Sequence, residues 1–269
     1  MEQRFPRPSV MGVINATPDS FSDGGIHLRP NAAATAARRM LGEGAAIVDV
    51  GGESTRPGSA GVPLDEELRR VMPVLEALAG SPVSIDTAKS EVARRALELG
   101  AELVNDVTAL RGEPELAGVV ADANAYCCLM HMRGEPRTMQ DDPVYDDVVS
   151  DVKAFLEERL AFAVAAGIRE ELICLDPGIG FGKTVAHNFE LVRRLPELVS
   201  IGRPVLIGIS RKSSLGRVLG DPGATTGSAH ASVGAAVAAY ERGAAILRVH
   251  DVRIHVEALR AAQAVYEGL

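Results

Sequence analysis

Eight times along its 269 residues the chain repeats one alternation, and this limits its possible folds more than any other feature. A short β-rich run is followed each time by a longer stretch in which apolar residues return with the 3.6-residue helical period. The strand candidates are Ser9–Ile14, Ala46–Val50, Pro82–Ile85, Glu102–Asn105, Tyr126–His131, Leu172–Asp176, Pro204–Ile209 and Ala245–His250. Between them, Leu64, Leu68, Val71, Leu75 and Leu78 form one apolar stripe, and Val148, Val152, Leu156, Leu160 and Val164 form another. Val252, Val256, Leu259 and Val265 form the stripe nearest the C-terminus. Gly44-Ala45, Gly100-Ala101 and Gly243-Ala244 each stand just before a strand, where glycine suits the left-handed end of a helix. Eight strand–helix units at even spacing predict an α/β chain folded as a single parallel (β/α)8 barrel, one domain over residues 1–269. A doubly wound open sheet is the alternative. It would usually place a glycine-rich turn after the first strand, where this chain has Asn15-Ala16-Thr17-Pro18.

Composition narrows the function. With 46% hydrophobic and 24% charged residues the chain can bury a large core. A formal net charge of -8 argues against a nucleic-acid partner, and an anionic ligand would need a local basic cluster working against the global field. Cys127, Cys128 and Cys174 have no metal-ligand spacing and lie in apolar runs, so buried free thiols in a reducing, cytoplasmic compartment are expected. Met1 to Pro8 is polar and leads into a strand, so no signal peptide is expected, and no apolar run is long enough to span a membrane.

In a barrel of this kind chemistry collects at the C-terminal ends of the strands. Asn15 ends the first. The second runs into Gly51-Gly52-Glu53-Ser54-Thr55-Arg56-Pro57-Gly58, and the third ends in Asp86-Thr87. Asn105-Asp106, His131 and Asp176-Pro177-Gly178 follow, then Ser210-Arg211-Lys212-Ser213 and finally Arg248 with His250. Any one of these could be a helix cap or a turn former, Asp86 and Asn105-Asp106 above all. Eight at once is better explained by a site.

Alternation puts Ile246, Arg248 and His250 on one face of the last strand. A cation flanked by Leu247 and Val249 must be paired, either by an anion bound at the barrel mouth or by a protein carboxylate. With Lys212 from the neighbouring strand, an arginine fork and a lysine point charge would suit a diphosphate. Asp86, Asn105 and Asp176 would suit the amidine-like edge of a planar heterocycle such as a pterin or guanine. Paired carboxylates could instead perform general acid–base work. Gly178-Ile179-Gly180-Phe181-Gly182-Lys183-Thr184 fails both common phosphate-loop patterns and reads as a flexible loop with Phe181 near the mouth. His27, His187, His230 and His255 have no ligand spacing and read as surface or packing histidines.

Taken in order, these segments resemble the dihydropteroate synthase family from about Met11 to Ala261. The resemblance is carried by Met11-Gly12-Val13-Ile14-Asn15-Ala16-Thr17-Pro18-Asp19-Ser20-Phe21-Ser22-Asp23-Gly24-Gly25 and by Asp49-Val50-Gly51-Gly52-Glu53-Ser54-Thr55-Arg56-Pro57-Gly58. Ser84-Ile85-Asp86-Thr87, Val104-Asn105-Asp106, Leu129-Met130-His131-Met132, Leu175-Asp176-Pro177-Gly178, Ser210-Arg211-Lys212-Ser213 and Arg248-Val249-His250-Asp251 follow.

The resemblance implies a transferase that joins a dihydropterin-methyl diphosphate to 4-aminobenzoate, giving 7,8-dihydropteroate and diphosphate in folate biosynthesis. It implies that Asp86, Asn105, Asp176 and Lys212 hold the pterin. Arg248, His250, Thr55 and Asn15 would hold the diphosphate, Asn15 through Mg²⁺. Phe21, Thr55, Arg56, Pro57, Phe181 and Ser210 would border the 4-aminobenzoate site. Lys212, Asp86, Arg248 and His250 would be catalytic. Loops Thr17–Pro30 and Ser54–Pro63 would act as lids, sulfonamides would compete for the arylamine site, and the Ala-rich stretch from Ala229 to Ala239 would support a homodimer. A pterin-dependent methyltransferase barrel and a catalytically silent pterin-binding paralogue are the alternatives. The first has no use for Lys212, Arg248 and Thr55-Arg56-Pro57 together. The second would be expected to lack one or more of them.

Overall fold

The computed structural model describes residues 1–16, 29–55, 59, 61–135, 137–141 and 143–268. Phe21, Arg56, Pro57 and His27, with most of the two loops expected to act as lids, lie outside the described residues. The strands are β1 (Ser9–Asn15), β2 (Ile47–Gly51), β3 (Val83–Asp86), β4 (Leu103–Asp106), β5 (Tyr126–Met130), β6 (Ile173–Asp176), β7 (Leu206–Ile207) and β8 (Ile246–Val249). The helices among the described residues are α1 (Arg29–Gly42), α2 (Leu64–Ala77), α3 (Ser90–Glu98), α4 (Leu116–Asp122) and α5 (Val148–Ala165). They continue with α6 (Val185–Arg193), α7 (Leu195–Val199), α8 (Ser213–Val218), α9 (Ala229–Glu241) and α10 (Val252–Glu267). No described helix is long and apolar enough to cross a membrane.

All the strand pairs are parallel, in the order β6-β5-β4-β3-β2-β1-β8-β7. One further parallel bridge, Leu175 to Val205, joins the two ends and closes the sheet into a (β/α)8 barrel. The open doubly wound sheet is thereby excluded. Each predicted strand is present, some of them shortened. The seventh was expected over Pro204–Ile209 but pairs with β8 only at Leu206 and Ile207. Pro204 has no N–H to give to a ladder, and its carbonyl instead accepts Leu175 N–H at 2.9 Å.

Strands β2, β4 and β6 are buried on both faces, as parallel strands covered by helices must be. Their outward residues, Val48, Val50, Val104, Ile173 and Leu175 among them, meet the helices in one continuous apolar shell. The inward residues change character along the strand. Met11, Ile47, Leu103, Cys128, Cys174, Leu206 and Ile246 fill the lower interior, stoppered by Met1 and Phe5. Two residues further along the same inward faces come Asp49, Asn105, Asp176 and Arg248. The interior is thus an apolar floor beneath a charged layer. All three cysteines are free and buried, as expected.

The helix stripes are buried at their centres and drift at their ends. Val152 and Leu156 are fully buried, whereas Val164, sixteen residues beyond Val148, is exposed. Steps of four overshoot the helical turn by about 40° each, so four of them carry a side chain off the core face. Val265 is exposed for a similar reason, six residues past Leu259 being off phase. Gly44, Gly100 and Gly243 all take positive φ, as their place before a strand required.

The floor carries a stability prediction. Leu103→Ala removes a fully buried side chain from a close-packed interior and should cost about 2–5 kcal/mol in urea unfolding. A loss below 1 kcal/mol would mean that the interior is not packed as described.

Candidate active site

The charged layer is built around Arg248. Its Nε donates to Asp49 Oδ2 at 2.7 Å, and its Nη2 donates to Asp86 Oδ2 at 2.8 Å. Of the two pairings open from sequence, the protein takes the carboxylate one. Nη1 makes no hydrogen bond among the described residues. Burial alone would weaken this cation, but Asp49 and Asp86 outweigh it and raise the guanidinium pKa. Asp86 responds in the opposite sense. Burial pushes its carboxyl up to about 7, with Arg248 opposing and Asp49, Glu67 and Asp106 adding to the rise.

Asp49 was not singled out from sequence as a site residue. It is completely buried, and its Oδ2 also accepts Asn105 Nδ2 at 2.9 Å. A carboxylate can only accept, so Asn105 must turn its NH2 toward Asp49 and its Oδ1 toward the mouth. The signal was present: Asp49 interrupts the buried run Ile47-Val48-Val50 on the inward phase.

Asp176 is buried, and its Oδ1 accepts the Gly178 N–H at 2.7 Å. Burial raises its pKa, while that hydrogen bond and the cations Lys212, Arg248 and Lys183 pull it down. The remaining oxygens, Asp86 Oδ1, Asn105 Oδ1 and Asp176 Oδ2, accept no hydrogen bond among the described residues. Three acceptors on the inward phase of β3, β4 and β6 call for a ligand with a row of N–H donors. Asp106 is different. Both its oxygens bind Thr108 and one also takes the Leu110 N–H, so it is a turn former.

The loop after β6 was read as flexible. Each of its glycines is held by a hydrogen bond or by close neighbours. Gly178, Gly180 and Gly182 all have positive φ, and a side chain at Gly178 or Gly182 would run into the carbonyl oxygens of His131 or Arg133. Gly180 N–H donates to Asn188 Oδ1 at 2.8 Å, and Tyr145 OH donates to the Gly182 carbonyl at 2.7 Å. The loop carries Phe181 to the mouth, where the Lys212 ammonium lies 4.4 Å from its ring centroid. Lys183, also missed from sequence, turns inward. Its Nζ reaches His131 Nδ1 at 2.9 Å and the Phe181 carbonyl at 3.0 Å, and burial brings its pKa down to about 7. His131 is therefore a packed acceptor for Lys183, its own pKa lowered by burial and then by Lys183.

At the other side of the mouth, Ser210 is buried with its hydroxyl committed to His250. Its Oγ accepts the His250 N–H at 3.2 Å and lies 3.2 Å from Nδ1. The Ser210 hydrogen can then serve Nδ1, which leaves the ring proton on Nε2. Burial, followed by Arg248 and Arg211, lowers the His250 pKa to about 4. His250 thus offers a hydrogen bond, not a charge. Arg211 points away from the layer into a two-point pair with Asp251 at 2.6 and 2.9 Å.

Asn15 ends β1 beside Gly51 with no side-chain hydrogen bond among the described residues, and Thr55 is half-buried on the segment leaving β2. No group of three or more His, Cys, Asp or Glu among the described residues could hold a metal ion. One neutral amide oxygen fits Mg²⁺ only as a single hard ligand beside oxygens from elsewhere. His187 caps α6 with Thr184, and His255 bonds the Asp251 carbonyl, so both are structural.

A row of acceptors around an arginine, at the C-terminal mouth of a (β/α)8 barrel, defines a small-molecule enzyme site of the barrel class. The particular family follows from comparison. Residues 11–250 match the model of the pterin binding enzyme family, and the chain belongs to that family, among the dihydropteroate synthases. The dihydropteroate synthase of Escherichia coli is 47% identical over 262 residues, 96% of this chain and 91% of that protein. The Xanthomonas albilineans enzyme has been solved with 4-aminobenzoic acid, at 48% identity, 97% and 94% coverage and a TM-score of 0.89. It has also been solved with 7,8-dihydropteroate, at 46% identity, 97% and 95% coverage and a TM-score of 0.86. The Yersinia pestis enzyme in a sulfonamide drug complex is 45% identical, with 98% and 96% coverage and a TM-score of 0.90.

The raised pKa of Asp86 has a definite sign. In the ligand-free protein the carboxyl holds its proton below about pH 7, so a ligand that needs the ionised group should bind more weakly as pH falls through that value. Because the folded-state pKa lies above the unfolded one, the stability it contributes is lost as pH rises toward 7. Carbon-13 NMR of labelled aspartate should show a carboxyl titrating near pH 7 that vanishes in Asp86→Asn. A midpoint near 4 would contradict the described burial.

Proposed function

We propose that the chain is a transferase that joins (7,8-dihydropterin-6-yl)methyl diphosphate to 4-aminobenzoate, releasing 7,8-dihydropteroate and diphosphate. The observation that carries the reading is the acceptor row of Asp86 Oδ1, Asn105 Oδ1 and Asp176 Oδ2. It complements the N–H donors of a 2-amino-4-oxo pterin ring, and the X. albilineans relative binds 7,8-dihydropteroate. Asp86, Asn105, Asp176 and Lys212 hold the ring. Arg248 through Nη1 and His250 through Nε2 face the diphosphate, with Thr55 and Asn15 completing its site. Phe181 and Thr55, with Phe21, Arg56, Pro57 and Ser210, border the arylamine. The Ser210 hydroxyl acts there by orienting His250.

The reaction breaks the bond from the pterin methylene carbon to the diphosphate oxygen, and both electrons leave with diphosphate. The arylamine nitrogen forms the new bond to that carbon and sheds a proton. The protein's part is to fix the ring and to stabilise the departing charge. A preorganised cation does this without reorganising at the moment of reaction. Asn15 would hold a Mg²⁺ ion as one neutral hard ligand, and the ion would supply neutralisation of the diphosphate charge.

The same proposal includes a cytoplasmic location, supported by three buried free thiols, and a homodimer of single-domain barrels. The small residues Gly234, Ala235 and Ala238, exposed or half-buried on α9, support close approach of a second copy.

Two measurements test the reading. Diphosphate should be released from the pterin-methyl diphosphate only when 4-aminobenzoate is present, and release without it, or none at all, would refute the transferase. Ser54-Thr55-Arg56-Pro57-Gly58 runs without insertion, so sulfamethoxazole should inhibit competitively with 4-aminobenzoate. Noncompetitive inhibition would move the drug away from Thr55 and Phe181.

A further inference from the structure

Asp49 has no surface at the mouth, yet two site residues depend on one of its atoms. Its Oδ2 accepts both Arg248 Nε at 2.7 Å and Asn105 Nδ2 at 2.9 Å. Its other oxygen, Oδ1, is fully buried with no partner among the described residues, and so is Ser84 Oγ, directly across the ladder from it. A buried carboxylate with one oxygen unsatisfied is a costly residue, and an apolar side chain of similar size would pack at less expense. Its presence is explained by what Oδ2 holds.

We propose that Asp49 is the positioning residue of the ring pocket, dividing Arg248 between itself and Asp86 while locking the Asn105 amide with its oxygen toward the ligand. Without Asp49, nothing among the described residues forces the Asn105 amide to present its acceptor. The two N–H groups of Arg248 now shared between carboxylates would both be free to close on Asp86 and cover the oxygen a pterin needs. Asp49 therefore sets the hydrogen-bond polarity of a pocket it does not touch.

The proposal rests on the pterin reading, and the test separates the two. Binding of 6-hydroxymethylpterin is measured by calorimetry from pH 5.5 to 9 in the parent and in Asp49→Asn, alongside thermal unfolding. The variant should bind at least tenfold more weakly at pH 8. The acid limb of its affinity should move to lower pH, because a negative charge beside Asp86 has been removed. A purely structural role would lower the melting temperature and leave the affinity of the folded variant at pH 8 unchanged. Affinity within twofold of the parent, or an unmoved limb, overturns the proposal. A parent that binds no pterin at all would overturn the functional reading itself.

Should Asp49→Asn not fold, nitrogen-15 NMR of the parent supplies the second measurement. The Asn105 side-chain NH2, identified by its loss in Asn105→Leu, should be protected from exchange by its carboxylate partner. Rapid exchange of that NH2 would equally overturn the proposal.

Discussion

One guanidinium held between two carboxylates inside a barrel is the interaction on which the site depends. Arg248 is partly buried on β8, and it is the cation that both Asp49 on β2 and Asp86 on β3 bond. Through these three residues, strands far apart in sequence share one charged layer. The apolar floor of Met11, Ile47, Leu103 and Ile246 lies directly beneath and excludes water from below. Low polarity under the layer strengthens each of its electrostatic contacts, including those to a ligand.

The opposite wall is organised by backbone. Three glycines with positive φ fold the loop after β6 so that Phe181 reaches the mouth and Lys183 points inward. Lys183 bonds no carboxylate among the described residues and is held by His131 Nδ1 and the Phe181 carbonyl. Each glycine of the loop is bonded or crowded at its own position. One side of the pocket is thus fixed by ion pairs and the other by peptide geometry.

The architecture was largely legible from sequence. Periodicity and the glycines before strands 2, 4 and 8 describe a parallel barrel, and the polar residues at strand ends identify its mouth. Asp86, Asn105, Asp176, Lys212, Arg248 and His250 all belong to the mouth that the structure displays. What escaped was any residue whose role is defined by a partner. Asp49 looked like one position in a motif, because nothing local shows that its oxygen serves residues 56 and 199 positions away. Lys183 looked like a failed phosphate loop, since burial of a lysine is a tertiary fact. The paired state of Arg248 and the commitment of Ser210 to His250 likewise depend on distances between strands. Drift of the long helical stripes at Val164 and Val265 was computable from the turn angle alone.

The closure of the barrel has a mechanical consequence. Around most of its girth the wall is bound by ladders of three to five paired residues, from β6 through β5, β4, β3, β2 and β1. Between β6 and β7 the same wall is held by one bridge, and β7 itself contributes only two pairs to β8. Elastic compliance of the barrel is therefore concentrated along this seam. Asp176 stands on one side of it and the segment bearing Lys212 on the other. Asp86 and Asn105, by contrast, face each other directly across the paired ladder of β3 and β4.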